Sequence, residues 1–206
     1  MEVLSQETEY SSEQYLSIER KAEHKSEYIN GRIFAMAGAS RRHNQITFNI
    51  SVTLGIQLKG RACVAYSSDM RVKIKETGLY TYPDIVATCN EPKFEDSFVD
   101  TLLNPAIIIE VLSDSTEAYD RGGKFAHYRR LSSLQEYLLI AQNGICVEHY
   151  SRQDKRWLLT EISELAGTLR LDSIDCVLSL IDTYCSPNQR CSSRNFDRGF
   201  GCTIKF

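Results

Sequence analysis

The chain has 206 residues, of which 42% are apolar and 25% charged, with a formal net charge of −3. That is the length of one domain with enough apolar content for a core, and the acidic balance excludes a surface that holds nucleic acid by charge alone. No apolar run approaches the roughly 20 residues of a membrane-spanning helix. The opening MEVLSQETEYSSEQ is acidic and polar, the opposite of a secretory signal, so a cytoplasmic location and no membrane partner are expected. Seven cysteines are scattered without a Cys-x-x-Cys pair; buried free thiols are expected, not a disulfide framework or a structural zinc.

In chain order, Ser11–Ala22 places Tyr15, Leu16, Ile18 and Ala22 at amphipathic helical spacing, with Ser11 or Ser12 as the cap. Asn30-Gly31 predicts a hairpin turn, since both residues tolerate positive φ. Ser40–Lys59 reads as a long helix, with Ile46, Ile50, Leu54 and Leu58 every fourth residue and Gly60 ending it. Strand-like runs follow: ACVAYSS, DMRVKIK and LYTYPDIVATC. The acidic stretch Asn90–Asn104 reads as an exposed loop. PAIIIEVL is the most strand-like run of all, and it leads into a helix start at Asp114–Glu117 with capping-box spacing. That helix is expected to reach about Leu131. QEYLLIAQ, CVEHYSR and RWLLTEI predict three more strands, and Leu178–Tyr184 a short last helix. From Cys185 the composition turns to Ser, Asn, Arg and Gly, so residues 1–184 are read as the domain and 185–206 as a loosely held tail. The order of elements indicates an α+β fold, a mixed sheet flanked by helices.

Two carboxylates stand out. TYPDIVATC and PAIIIEVL are apolar on both faces, as central strands are, yet the first carries Asp84 and the second Glu110. Alternation points Asp84 with Tyr82 and Val86, and Glu110 with Ile108 and Leu112. Neighbouring strands would bring the two acids together. Burying unpaired carboxylates costs several kcal/mol each, and adjacent ones also repel. Mg²⁺ (or Mn²⁺) compensates economically, because it takes hard oxygen ligands from one or two carboxylates. Lys124 shares a helical stripe with Tyr128 and Leu131; if the stripe faces the sheet, its ammonium lies beside that centre.

At these residues the chain resembles the PD-(D/E)XK nuclease superfamily. Pro83-Asp84, then Glu110-Val111-Leu112, then Asp120-x-x-x-Lys124 carry the likeness. It is most similar to the Uma-two branch of endonuclease-like bacterial proteins, through KSEYINGRIFAMAGASRRHN, YSSDMRVKI, YTYPDIV and IIEVLSDST…YDRGGKFAHYRRL. The likeness runs from about Ser11 to Tyr184. It implies a restriction-endonuclease-like αβββαβ core and divalent-metal hydrolysis of phosphodiesters in nucleic acid, DNA in the first instance. Asp84, Glu110 and the Val111 carbonyl would hold the metal, with Glu27 as a further ligand. His43 would contact a phosphate or a metal-bound water; apart from the resemblance, Arg42 beside Arg41, like Arg129-Arg130, could meet a nucleic-acid backbone. The superfamily lysine normally follows the second acid by two residues; Leu112 stands there, and the branch resembled moves the lysine to the next helix, at Lys124. Asp114 stands where the branch more often has proline, and Gly122-Gly123 weakens the first turns of the helix.

The residues alone leave plainer roles open. Asp84 can cap a backbone amide after Pro83, Glu110 can pair with Arg71, and Lys124 can bridge Asp120 on a surface turn. Glu27 can be a solvated hairpin residue and His43 a histidine at the core edge. A nucleic-acid-binding or scaffold protein that keeps the fold without turnover is the alternative to an enzyme. A two-fold homodimer is the default oligomer.

Overall fold

In the computed structural model, residues 9–89 and 91–185 are described; the expected tail, apart from Cys185, lies outside them. α1 (Ser12–Glu19) begins in a capping box: the Ser11 hydroxyl accepts from the Gln14 N–H, and the Gln14 side chain accepts from the Ser11 N–H. It ends sooner than its periodicity suggested. β1 (Ser26–Ile29) and β2 (Arg32–Ala35) turn at Asn30-Gly31, with φ of 50° and 80°, the positive pair that this dipeptide provides. α2 (Arg41–Leu58) starts where the Ser40 hydroxyl accepts from the His43 N–H at 3.0 Å and buries Ile46, Ile50, Leu54 and Leu58.

The strands that follow are β3 (Cys63–Ser67), β4 (Arg71–Ile74), β5 (Leu79–Thr81), β6 (Ile85–Cys89), β7 (Thr101–Leu102) and β8 (Ile107–Leu112). A helical stretch comes next: α3 (Glu117–Tyr119), a π turn at Asp120–Lys124, and α4 (Phe125–Tyr128). The chain closes with β9 (Glu136–Ala141), β10 (Val147–Gln153), β11 (Arg156–Ile162), the hairpin β12 (Thr168–Leu171) and β13 (Cys176–Ser179), and α5 (Leu180–Tyr184). Six strands form the main sheet in the order β11-β10-β9-β8-β6-β3, and five form a second sheet, β2-β1-β5-β4-β7. Within the main sheet β8 and β9 run parallel and β6 pairs with β8 antiparallel. One face of the main sheet packs Ile85, Ile107, Ile109 and Val111 against α2, the β12–β13 hairpin and α5. The other face packs Val86, Ile108 and Leu112 against Val72, Leu79 and Leu102 of the second sheet and Tyr128 of α4.

Several expectations are corrected. LYTYPDIVATC is two strands in two different sheets, broken at Tyr82-Pro83-Asp84, because proline has no N–H to give to a ladder. Asp84 therefore stands just ahead of β6, not inside a strand. The acidic loop contains β7, a buried pair of residues parallel to β4. Asp114 caps nothing; its carboxylate accepts from the Asn143 amide at 2.7 Å, and α3 starts without a side-chain cap. Cys63 and Cys89 face each other across β3 and β6 and form a disulfide. Cys146 and Cys185 each take part in a disulfide, while Cys176 is a buried free thiol. Scattered spacing did not forbid pairing, since sheet register brings together cysteines that are 26 residues apart. No helix among the described residues is long and apolar enough to cross a membrane.

A second charged cluster ties the smaller sheet to α1. Arg71, 2% exposed, donates to Tyr82 Oη at 2.8 Å and Thr101 Oγ1 at 3.0 Å, and pairs with Asp100 at 2.9 Å. Arg71 is therefore engaged away from Glu110. Asp100 also receives Arg20 at 2.8 and 2.9 Å. The Arg20 guanidinium, with Arg71 behind it, holds the Asp100 carboxyl well below the usual carboxylate range. Asp100→Asn, which leaves Arg71 buried without a counter-charge, is expected to lower unfolding free energy by about 2–3 kcal/mol in urea titration at pH 7. Because the Asp100 pKa is depressed, the difference from wild type should shrink as pH falls through the carboxylate range.

Candidate metal and active site

The Pro83 break delivers Asp84 to the edge where the chain crosses from one sheet to the other. Ile85 pairs with Ile109 across β6 and β8, so one residue further along Asp84 stands level with Glu110. The Val111 N–H donates to Asp84 Oδ2 at 2.7 Å, and the Asp84 N–H reaches Glu110 Oε2 at 3.4 Å. His43, on the first turn of α2, holds Asp84 Oδ1 through Nε2 at 2.8 Å. Asp84 is thus clamped from two sides, and the expected convergence of the two acids is present.

Glu110 lies on the face shared with Ile108 and Leu112, 4% exposed. Lys124 Nζ donates to its Oε1 at 3.1 Å, and the Tyr128 hydroxyl donates to the same oxygen at 2.8 Å. Lys124, itself 6% exposed, also contacts Glu27 Oε1 at 3.2 Å and Asp120 Oδ1 at 3.4 Å. Glu27, from β1, additionally accepts from the Thr81 hydroxyl at the end of β5. The centre therefore draws on both sheets, α2 and the π turn. The surface bridge between Asp120 and Lys124 that the sequence left open does form, but it is buried and is one of three contacts. Arg42 is half-buried, and burial lowers its pKa in the neighbourhood of Tyr184.

Three carboxylates contact one lysine, with Asp84 beside Glu110, and their titration reflects it. Burial pushes the Glu110 carboxyl up to about 8, with the charges of Asp120 and Asp84 adding to the shift and Lys124 opposing it. Burial also raises Asp120. Burial acts against the Lys124 charge, but Glu110, Glu27 and Asp120 outweigh it and hold the ammonium well above its ordinary value. Lys124 stays charged, and the acids remain short of positive charge.

Among the described residues no three His, Cys, Asp or Glu side chains already converge as a ligand set; Lys124 Nζ occupies the space between Glu27 and Glu110. The donor chemistry nonetheless fits a hard divalent cation. Glu110 Oε2 has only the long contact to the Asp84 amide. Among the described residues His43 Nδ1 is buried without a hydrogen-bond partner. Buried polar atoms are rarely left in that state.

Sequence reasoning placed Tyr128 on the Lys124 stripe without giving it the contact with Glu110, and it treated Asp120 only as a bridge. The i, i+4 spacing of Asp120, Lys124 and Tyr128 was the available signal. Nothing local marks Thr81, whose partner lies 54 residues away.

Residues 12–180 match the model of the Uma2 family, described as "Putative restriction endonuclease". Two uncharacterized proteins of Synechocystis sp. (strain ATCC 27184 / PCC 6803 / Kazusa) are similar to the chain. sll1609 is 45% identical over 72% of this chain and 85% of its own; slr1290 is 38% identical over 80% and 85%. A crystal structure from Anabaena variabilis ATCC 29413, described as "a putative nuclease belonging to DUF820", matches with a TM-score of 0.70 at 20% identity, covering 84% of this chain and 96% of that one. At that identity the likeness carries the fold, a restriction-endonuclease-like α+β arrangement. With the family model spanning most of the described residues, the chain belongs to the Uma2 family of restriction-endonuclease-like proteins.

Proposed function

We propose that this chain is a divalent-metal-dependent endonuclease that hydrolyses phosphodiester bonds in DNA, with Mg²⁺ or Mn²⁺ as its ion. The observation that carries the reading is Glu110: a buried carboxylate, level with Asp84, facing a lysine that three acids keep charged. DNA as the substrate is the sense of the family's description.

In this reading Asp84 and Glu110 hold the ion, with the Val111 carbonyl and Glu27 as further ligands. The bound ion supplies Lewis acidity to the phosphate and lowers the pKa of a coordinated water. His43 and the Val111 amide fix the Asp84 carboxylate before any ion arrives, so little reorganisation is needed. A lysine held this firmly protonated does not take the proton of the attacking water. Its ammonium orients that water and offsets the negative charge that builds on the phosphate. Tyr128 keeps one oxygen of Glu110 occupied and leaves the other for the ion. His43 and Arg42, on the first turn of α2, would contact the nucleic-acid backbone in this reading. Assembly as a two-fold dimer belongs to the same reading as the commonest arrangement.

Cleavage of plasmid or linear DNA is expected with Mg²⁺ or Mn²⁺ and not in EDTA. Asp84→Ala should abolish it, and Lys124→Gln should slow it about 100-fold while leaving metal affinity largely intact. Equal cleavage by wild type and Asp84→Ala would overturn the assignment.

The Glu110 carboxyl gives a second test, read on stability. Its folded pKa lies at about 8 against an ordinary value of 4.5, so the folded state binds the extra proton between those values and metal-free stability falls as pH rises through that window. In EDTA the melting temperature should drop by about 5 °C between pH 5 and pH 8. Mg²⁺ at about 100 times its Kd should return about 5–10 °C at pH 8, and less at pH 5, where a proton must first leave. Glu110→Gln should flatten the pH slope and remove the Mg²⁺ gain. A melting temperature indifferent to Mg²⁺ at pH 8 would contradict metal binding here.

A further inference from the structure

Two aromatic side chains at the rim of the site have no part in the chemistry described above. Phe34, on β2, is directly opposite Glu27 in the β1–β2 register. Directly opposed residues of an antiparallel pair project to the same face, so Phe34 stands beside Glu27, and it is 50% exposed. Tyr119, at the end of α3, is 39% exposed. Its ring folds back over Gly123 so closely that a Cβ there would lie 2.7 Å from two of its carbons. Gly123 adjoins Lys124, and Lys124 contacts Glu27 at 3.2 Å. Two exposed rings, one from the second sheet and one from the helix, therefore flank the same Glu27–Lys124 contact. Neither belongs to an apolar cluster among the described residues, so core packing does not account for them.

We propose that Phe34 and Tyr119 form a nucleobase-binding pair, on which bases flanking the scissile phosphate stack, and that the preferred substrate therefore contains an unpaired or splayed strand. This inference rests on the nuclease reading. Within a duplex each base face is covered by its neighbour, so a ring at the rim stacks on a base only where the strand is single or the base is turned out. Stacking is also the contact suited to this chain. Its net charge of −3 and its acidic centre offer little of the general phosphate attraction on which duplex and single-strand binders both draw, and stacking adds affinity that does not depend on charge. Gly123 then has a function that helix propensity alone does not explain: its missing side chain leaves the place in which the Tyr119 ring lies.

The test measures binding by fluorescence anisotropy with Mg²⁺ in the Asp84→Asn background, where cleavage is stopped. A labelled oligothymidylate is compared with a blunt duplex of equal length. Phe34→Ala and Tyr119→Ala are each expected to weaken single-strand binding about 5- to 100-fold, and Tyr119→Phe to restore it, because the ring and not the hydroxyl makes the contact. Duplex affinity and the thermal midpoint should stay within error for all three, as both positions are exposed. Single-strand affinity unchanged in both alanine variants, or lost equally for duplex and single strand, would overturn the base-stacking role while leaving a nuclease acting on duplex DNA in place. No binding of either form by the parent would overturn both readings together.

Discussion

Glu110 is a carboxylate in the middle of a sheet, and the surrounding structure is arranged around the difficulty of keeping it there. A charge this deeply buried is costly unless cations and donors reach it. Two oxygens are available, and the protein treats them differently. Oε1 receives the Lys124 ammonium and the Tyr128 hydroxyl, while Oε2 receives only a long contact from the Asp84 amide. The same requirement explains the course of the helix above the sheet. For Lys124 and Tyr128 to meet one oxygen, the segment must present both to the sheet, and it does so with Lys124 as the last residue of the π turn and Tyr128 as the last of α4. Insertions of this kind re-aim side chains, which is why they recur at functional sites.

The clustering of acids has a topological origin. Pro83 ends β5 and forces the chain from the smaller sheet into the larger one. That crossing puts Asp84 at the seam between the sheets, within reach of both α2 and β8. Glu27 comes to the same seam from β1, because β1 lies beside β5 in the smaller sheet. The site is therefore the line along which two sheets meet, and each sheet contributes acids that are far apart in the chain. Lys124 reaches Glu27, Glu110 and Asp120, so losing it would leave three carboxylates without that cation at once.

What could be read from the sequence was local or contradicted its own surroundings. Asn30-Gly31 and Ser40 declare a turn and a cap through their own backbone preferences. Asp84 and Glu110 were visible because a carboxylate in an apolar run breaks the pattern, and Lys124 because its helical stripe continued into Tyr128. Contacts set by long-range register were not visible. The Cys63–Cys89 disulfide depends on the pairing of β3 with β6. β7 was hidden in an acidic loop because two residues are too few to show alternation. The β12–β13 hairpin was overlooked since its alternation of exposed and buried residues is short and interrupted by charge. The break at Pro83 is local, since proline has no N–H for a ladder, but the apolar run on either side of it hides the change of sheet.

In the proposed reading, the charge arithmetic of the site makes lysine and metal ion complementary and not redundant. Lys124 is tethered to the helix and can satisfy only the oxygens facing it, which are Glu27 Oε1, Glu110 Oε1 and Asp120 Oδ1. The remaining Glu110 oxygen faces Asp84, where no side-chain cation reaches among the contacts described. A second lysine there would need its own stem and would fill the space beside the acid pair. A small divalent ion needs no stem, brings twice the charge, and retains waters that can be exchanged for substrate oxygens. On that reading, compensating one side of Glu110 permanently and leaving the other side to an exchangeable cation would keep the fold intact without the ion and the acid pair open to it.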